Sequence, residues 1–515
     1  MTAVLEQSAP AAPKQQSGVI SQAHQGIKAV VTRQIVTKVM GLLSTLVLAR
    51  LLSPKDFGVY AIVCFSVALF GLIADAGLAV ALLRQPTEPT REEESSIFWC
   101  QLLLAVIHCS LVQTFAEPVG NLYHFSSSSI LLIRLLSIGS LLAVLISIPM
   151  IKLERRLDFG AQAKIEMMQS FAYNSSAIVF ALLHLGAWTF ALASLVGQVI
   201  AIVMLAFVSP FVPKFCFDIE VCRLKLGFGL KFQGTNILGF LKETINPVFV
   251  GLVSGATAVG FVNFAGTTAA YSLLVTTPFA RLYFPIFCRV QHEPEVVAKV
   301  VETAVRWNFL IVAGFAAVAL PFTDLLILKI FGAKWLPSVI LIDCLLVTNM
   351  VTGLAYPLTM LSNAVNRADL PLKLSLGTSI FSWLMLPLLL PSMGINGLGL
   401  ISILNTVFTV IFVHCLKKDI QLQIWKNCVK EAFIAAVATT TLLALIRLLF
   451  PQPVSYGWLG LFVLLPSGLC CYYALTNKLL KGLLQTEAKT FLASLKAKTS
   501  AGAAPATSTA ETTAT

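Results

Sequence analysis

A chain of 515 residues that is 57% hydrophobic and only 12% charged is not an ordinary soluble domain, where about a quarter of residues carry charge. Its mean hydropathy of +0.85 describes a chain solvated by lipid. The net charge of +12 would suit nucleic acid only if Lys and Arg gathered on one soluble face; they are spread through short segments between apolar runs, which excludes nucleic acid as the partner.

Residues 1–26 read as a disordered cytoplasmic tail, too polar to bury a core and without the apolar centre of a removable signal peptide. Targeting then falls to the first hydrophobic helix. With about 20 apolar residues per crossing, fourteen spans follow: 29–52, 56–83, 96–116, 129–151, 162–184, 187–212, 229–253, 257–280, 304–328, 337–361, 371–391, 394–416, 430–450 and 456–477. Residues 481–515 form a second cytoplasmic tail, disordered at its end.

Strict alternation from an inner N-terminus puts every basic residue on inner segments except Arg50, Lys55, Arg134, Lys242, Lys329, Lys334 and Arg447. So large a bias predicts an even number of spans and cytoplasmic termini. The basic excess is thus a topology signal.

"ARLLSPKDFGVYAI" (49–62) is the first outer hairpin. Ser53 is placed to cap the second helix, with Pro54 at its first position and the Asp56 carboxylate among free backbone donors; Arg50 suits the negative end of the helix before it. Sliding Gly58 onto Gly260, an offset of 202, lays this stretch without gaps over "GLVSGATAVGFVNF" (251–264). Further on, Gly120 and Tyr123 fall over Gly332 and Trp335 in "FGAKWLPS". The repeat predicts an all-α polytopic protein built as two parallel six-helix bundles around a central cleft, 27–212 and 229–416, with two extra helices in 417–480. A basic, amphipathic linker (213–228) joins the halves and is expected to lie as a helix on the inner surface.

Charged groups in hydrocarbon cost at least about 2.5 to 3.5 kcal/mol at mid-span, so they are expected to face the bundle interior. Lys38 lies deep in the first span, as a cationic donor for an anionic head group or as a side chain snorkelling to the surface. Lys242 and Glu243 point about 100° apart on the seventh span and cannot pair with each other. Pro247 frees carbonyls near Glu243, a pattern that builds ion or substrate sites. Asp75, among small residues in "ADAGL", fits packing or gating, as do Gly58 and Gly260. Arg33, Arg84, Arg281 and Arg306 fall at inner helix ends, where they attract anionic head groups or anchor topology. The eleven cysteines have no metal-ligand spacing and read as buried free thiols. No nucleotide loop, catalytic constellation or metal site is evident in the sequence.

"ARLLSPKDFGVYAI", followed by "FGLIADAGLAVALLRQ" (70–85) and later "FGAKWLPS" (331–338), resembles Wzx-type polysaccharide flippases, the fourteen-span branch of the multidrug/oligosaccharidyl-lipid/polysaccharide exporter superfamily. The resemblance implies a non-enzymatic transporter that flips undecaprenyl-diphosphate-linked oligosaccharide from the inner to the outer leaflet of a bacterial plasma membrane by alternating access. It implies no cofactor, leaves coupling to H+ or Na+ open with Glu243 and Asp343 as candidate acids, and names a polysaccharide polymerase and export machinery as further partners. A cation-coupled drug or metabolite antiporter of the same superfamily is the alternative, opposed by the absence of an acid in the first span. A polysaccharide polymerase or ligase is a second alternative, opposed by the short outer loops.

Overall fold

The protein is described here from a computed structural model that covers residues 14–74, 78–83, 85, 87–223, 225–226, 246–276, 283–284, 286–288, 293–419, 423–449 and 457–480. All regular structure among these residues is helical. In lipid the backbone has no water to bond to, so an apolar chain satisfies its amides within each segment, and the helix is the open-chain solution.

In chain order the helices are α1 (Lys14–Leu51), α2 (Pro54–Ala74), the short α3 (Leu78–Leu83), α4 (Arg91–Leu122), α5 (Ser127–Arg155), α6 (Phe159–Leu182), α7 (Trp188–Val208), α8 (Gly251–Ala270), α9 (Pro294–Ala319), α10 (Val339–Ala364), α11 (Asp369–Met393), α12 (Asn396–Asp419), α13 (Lys430–Leu449) and α14 (Gly457–Leu479). Eleven stretches among the described residues are long and apolar enough to cross a membrane. This is an all-α, multi-pass membrane protein. The expected span 162–184 is α6, which is not one of those eleven; it carries Lys164, Glu166 and Asn174 among its apolar residues. The expected span 229–253 lies mostly outside the described residues.

Helix boundaries follow local chemistry. At the α1–α2 hairpin the Ser53 amide and hydroxyl both donate to Asp56 Oδ2 (2.9 and 2.6 Å), and the Asp56 amide reaches back to Ser53 Oγ at 3.3 Å. Thr90 and Glu93 form the same reciprocal box on α4, and Asp158 caps α6. Ser53→Ala is expected to cost about 1 kcal/mol, seen as a lower melting temperature and folded yield. The flipping activity that the resemblance implies should stay at the parent level per folded molecule; its loss at normal abundance would give Ser53 a direct role. The second-half hairpin, expected between 253 and 257, is a single-residue break at Gly255 (φ 76°, ψ 176°). Only glycine enters that region without strain, which fixes where the helical run Pro247–Leu273 is interrupted.

Two compact units are distinguished by their contacts. The first takes in 1–282, 324–348 and 368–412. Within it α1 packs on α6, α6 on α7, α4 on α5, and α2 on α8. Small residues carry these crossings: Ala177, Ala181, Ala191, Ala193 and Ala201 are almost fully buried along α6 and α7. Lipid is as apolar as the helix faces, so close van der Waals approach between small residues supplies much of the attraction.

The second unit takes in 283–323, 349–367 and 413–515. There α13 and α14 pack against α9: the Tyr472 hydroxyl donates to Leu310 O at 3.1 Å, and the Arg447 guanidinium bonds to Pro321 O. Glu302 accepts from the Gln423 amide and from Asn427 Nδ2, both at 2.8 Å.

Candidate functional site

In the first unit α2 and α8 cross with almost nothing between their backbones. A Cβ placed on Gly58 would lie 1.6 Å from Ala256 O, and one on Gly260 would lie 1.9 Å from Pro54 O. Any side chain at either position drives the helices apart. The two contacts also exchange under the sequence offset of 202, because Pro54 maps onto Ala256 and Gly58 onto Gly260. Reciprocity of this kind (i touches j, and the copy of j touches the copy of i) is the signature of a two-fold axis. Here it relates two parts of one chain.

The same relation extends to an aromatic layer around the crossing. Trp335 is completely buried, stacks on Phe264 at 4.0 Å and meets Phe57 edge-on at 5.1 Å. Its indole Nε1 donates to Ala49 O at 2.9 Å. In the other direction Tyr123 lies against Gly251, where an added Cβ would come within 2.8 Å of its ring and 3.4 Å of Ile62. Ala49 and Ile62 map onto Gly251 and Phe264 under the same offset, and Tyr123 is the residue matched to Trp335. Each repeat therefore sets one aromatic on the small residue near the end of the other's helix.

Two cations complete the layer. Arg50 donates to Ile330 O (2.6 Å) and to Lys329 O, while Lys334 Nζ donates to Arg50 O (2.8 Å) and Leu52 O (2.6 Å). These acceptors lie in the last turn of α1, at the residue after it, and at the end of the helical segment Ile327–Phe331, where carbonyls have no partners within their own helices. Each cation also sits at the negative end of a helix dipole. Arg50 and Lys334, two of the seven exceptions to the inner charge bias, are thus held by helix termini. The two stretches most useful for recognising the sequence, 49–62 and 331–338, touch each other.

The remaining sequence-predicted residues are dispersed. Arg33 on α1 forms an ion pair with Glu166 on α6, which Gln162 also contacts at 3.1 Å. Lys38 is exposed on α1, beside the exposed Ile35 and Val39. It lies six residues, about 9 Å, inside the apolar run that begins at Thr32. Asp343 is half-buried in α10 of the first unit. Arg306, 9% exposed in the second unit, donates from Nε to Asn427 O at 3.0 Å. Asp75, Arg84, Lys242, Glu243 and Arg281 lie outside the described residues.

Sequence reasoning missed a polar cluster at the start of α4. Lys152 pairs with the nearly buried Glu94 at 2.9 Å. One Arg155 guanidinium collects the carbonyls of Leu82 (2.8 Å), Leu83 (3.3 Å), Gln85 (2.9 Å) and Thr87 (2.7 Å). Both cations count only as topology markers in the sequence, because their partners lie far earlier in the chain: the Glu94 carboxylate 58 residues before Lys152, and the carbonyls about 70 residues before Arg155. All eleven cysteines are free, but the expected burial holds fully only for Cys100, Cys222 and Cys428; seven are half-buried and Cys470 is exposed. Among the described residues no group of His, Cys, Asp and Glu is arranged to hold a metal.

Comparison with known proteins places this arrangement in a family. The chain is 26% identical over 294 residues to the succinoglycan biosynthesis transport protein ExoT of Rhizobium meliloti (56% of this chain, 58% of the relative). It is 24% identical over 317 residues to the teichuronic acid biosynthesis protein TuaB of Bacillus subtilis (58% and 62%). To the lipopolysaccharide biosynthesis protein WzxC of Escherichia coli it is 22% identical over 341 residues (65% and 68%). The chain thus spans less than two thirds of the length of the first two of these relatives. Its fold is that of the lipid II flippase MurJ in an inward closed conformation (TM-score 0.70, 14% identity, 88% of this chain and 100% of that one). A multidrug resistance MATE family transporter in an inward-facing conformation is similar at a TM-score of 0.57 and 15% identity, over 77% of this chain and 98% of that one. The family described as polysaccharide biosynthesis protein matches residues 47–340, more than half the chain and the whole of the α2–α8 crossing, and the chain belongs to that family.

Proposed function

We propose that this chain flips an undecaprenyl-diphosphate-linked oligosaccharide across a bacterial plasma membrane, from the inner to the outer leaflet, for export of cell-surface polysaccharide. The observation that carries this reading is the reciprocal α2–α8 contact in a member of a polysaccharide biosynthesis family. Two repeats that meet through bare backbone, two aromatics and two helix-capping cations can separate without breaking a large interdigitated core. A rocking transporter needs such a contact at whichever end of its path is shut.

On this reading both termini are cytoplasmic, and the crossing closes the outer end. Lys38, exposed on α1, supplies a cation for the diphosphate, and Asp343 with Glu243 are the acids assigned to coupling with H+ or Na+. A polymerase and export machinery would take the product.

The test is leaflet accessibility of a lipid-linked oligosaccharide in proteoliposomes. The parent should transfer lipid well above empty liposomes, and Lys38→Ala should lower the initial rate about tenfold, equivalent to about 1.4 kcal/mol. Parent rates equal to empty liposomes would overturn the proposal, whereas an active Lys38→Ala would remove only the assignment of that residue.

A further inference from the structure

Residues Ser209–Arg223 leave α7 and run back over the start of α4. The chain here is an extended strap to Asp218 and helical only from Ile219 onward, unlike the surface helix expected from its amphipathic pattern. Pro210 and Pro213 keep the first residues out of a helix, since each removes a backbone donor and biases the residue before it, and the helix starts only where the Asp218 carboxylate accepts from the Glu220 and Val221 amides. The strap is held tightly on one side: the Lys214 and Asp218 amides donate to Ser95 Oγ and Ser96 Oγ (both 3.0 Å), and Trp99 Nε1 donates to Lys214 O at 2.8 Å. Lys214 Nζ pairs with Glu92 at 3.0 Å, and the Cys222 thiol meets Ser96 O at 3.4 Å.

Its other side is apolar and uncovered. Val212 is 68% exposed, Phe215 95%, Phe217 52% and Ile219 74%. Phe215 rests only its face on Trp99, with ring centroids 5.3 Å apart. A rigidly tied segment that holds four large apolar side chains outward is built to seat them in something.

Position selects the occupant. The 21 residues of α7 extend about 31 Å, the thickness of the hydrocarbon layer, so Val208 lies at its edge and the strap begins in the interfacial zone. The exposed face of α7, Val199, Val203 and Phe207, runs directly into the strap. Trp99 beside it is a residue type that favours this level, and the Glu92–Lys214 pair fits the polar side of the boundary. We propose that Ser209–Arg223 is a membrane-interface strap whose Val212, Phe215, Phe217 and Ile219 side chains seat among the glycerol and upper acyl-chain groups of one leaflet, continuing the lipid-facing surface of α7.

The test uses the full chain reconstituted in vesicles of phosphatidylethanolamine and phosphatidylglycerol. The vesicles are doped with a phospholipid bearing a diazirine either near the glycerol or at the chain end, and adducts are mapped by mass spectrometry after irradiation. The upper-chain probe should label residues 212–219 as well as Phe207. The chain-end probe should favour Val199 and Val203 over the strap by about fivefold or more. Labelling of Phe207 without labelling of the strap overturns the proposal, whether water or a second copy of the chain covers that face. The double variant Phe215→Asp, Ile219→Asp should lose strap labelling about tenfold while adducts on Val199 and Val203, which report an intact fold, stay at the parent level. Undiminished strap labelling in that variant would also overturn it.

Discussion

Gly58→Ala is expected to lower the initial rate of the proposed flipping at least about tenfold per folded molecule, and Gly260→Ala to do the same. The added methyl would sit 1.6 Å from Ala256 O in the first case and 1.9 Å from Pro54 O in the second, where real Cβ atoms essentially never come within 3.0 Å. The opposing atoms are backbone, so relief comes only by parting α2 from α8. Overpacking of this kind costs about 1 to 3 kcal/mol, and it falls on the form in which the helices touch. A second feature separates this from ordinary destabilisation. Once one methyl has wedged the crossing open, the reciprocal contact has relaxed as well, so the double variant should cost little more than either single one. Independent sites would instead multiply their effects. Parent-like rates in both single variants, or a fully multiplicative double, would remove the crossing from the transport cycle.

The glycine pair also shows where sequence reading succeeds and where it stops. The 202-residue offset that aligns Gly58 with Gly260 was visible in the sequence because a capped hairpin, a turn glycine and an apolar run leave local marks. Nothing local says that the two glycines touch, since helix–helix contact is a property of two surfaces that meet only in the fold. Capping was legible for the same local reason: Ser53, Pro54 and Asp56 lie within four residues, and their bonds close as expected. Charged residues were the hardest to place. Arg33 reads as an inner-mouth cation, yet its partner Glu166 is 133 residues away on α6. Arg155 reads as a topology marker, yet it holds four carbonyls at the end of α3 and just beyond it. A cation's sequence neighbours report its depth in the membrane, whereas its partner depends on which helix packs beside it.

Arg50→Met and Lys334→Met are expected to open the same layer without adding bulk. Removing Arg50 strips the carbonyls of Lys329 and Ile330 of their donor, and removing Lys334 does so for Arg50 and Leu52 at the end of α1. Hydrogen bonds from charged donors contribute about 1.5 to 3 kcal/mol. Arg50 is exposed and Lys334 half-buried, so the lower end applies to Arg50 and water replaces part of its loss. Arg50→Lys should fall between parent and Met, because one ammonium lacks the fork that serves two carbonyls. Ala49 gives a direct readout: it is fully buried and its carbonyl accepts the Trp335 indole N–H. In an Ala49→Cys background, maleimide labelling should rise about tenfold on removal of Lys334, matching a shift of about 1.4 kcal/mol toward the separated form. If labelling stays at the background rate while folded yield falls, the two cations only hold the fold together. If labelling and transport both move, they are the latch that the α2–α8 crossing must release on every cycle.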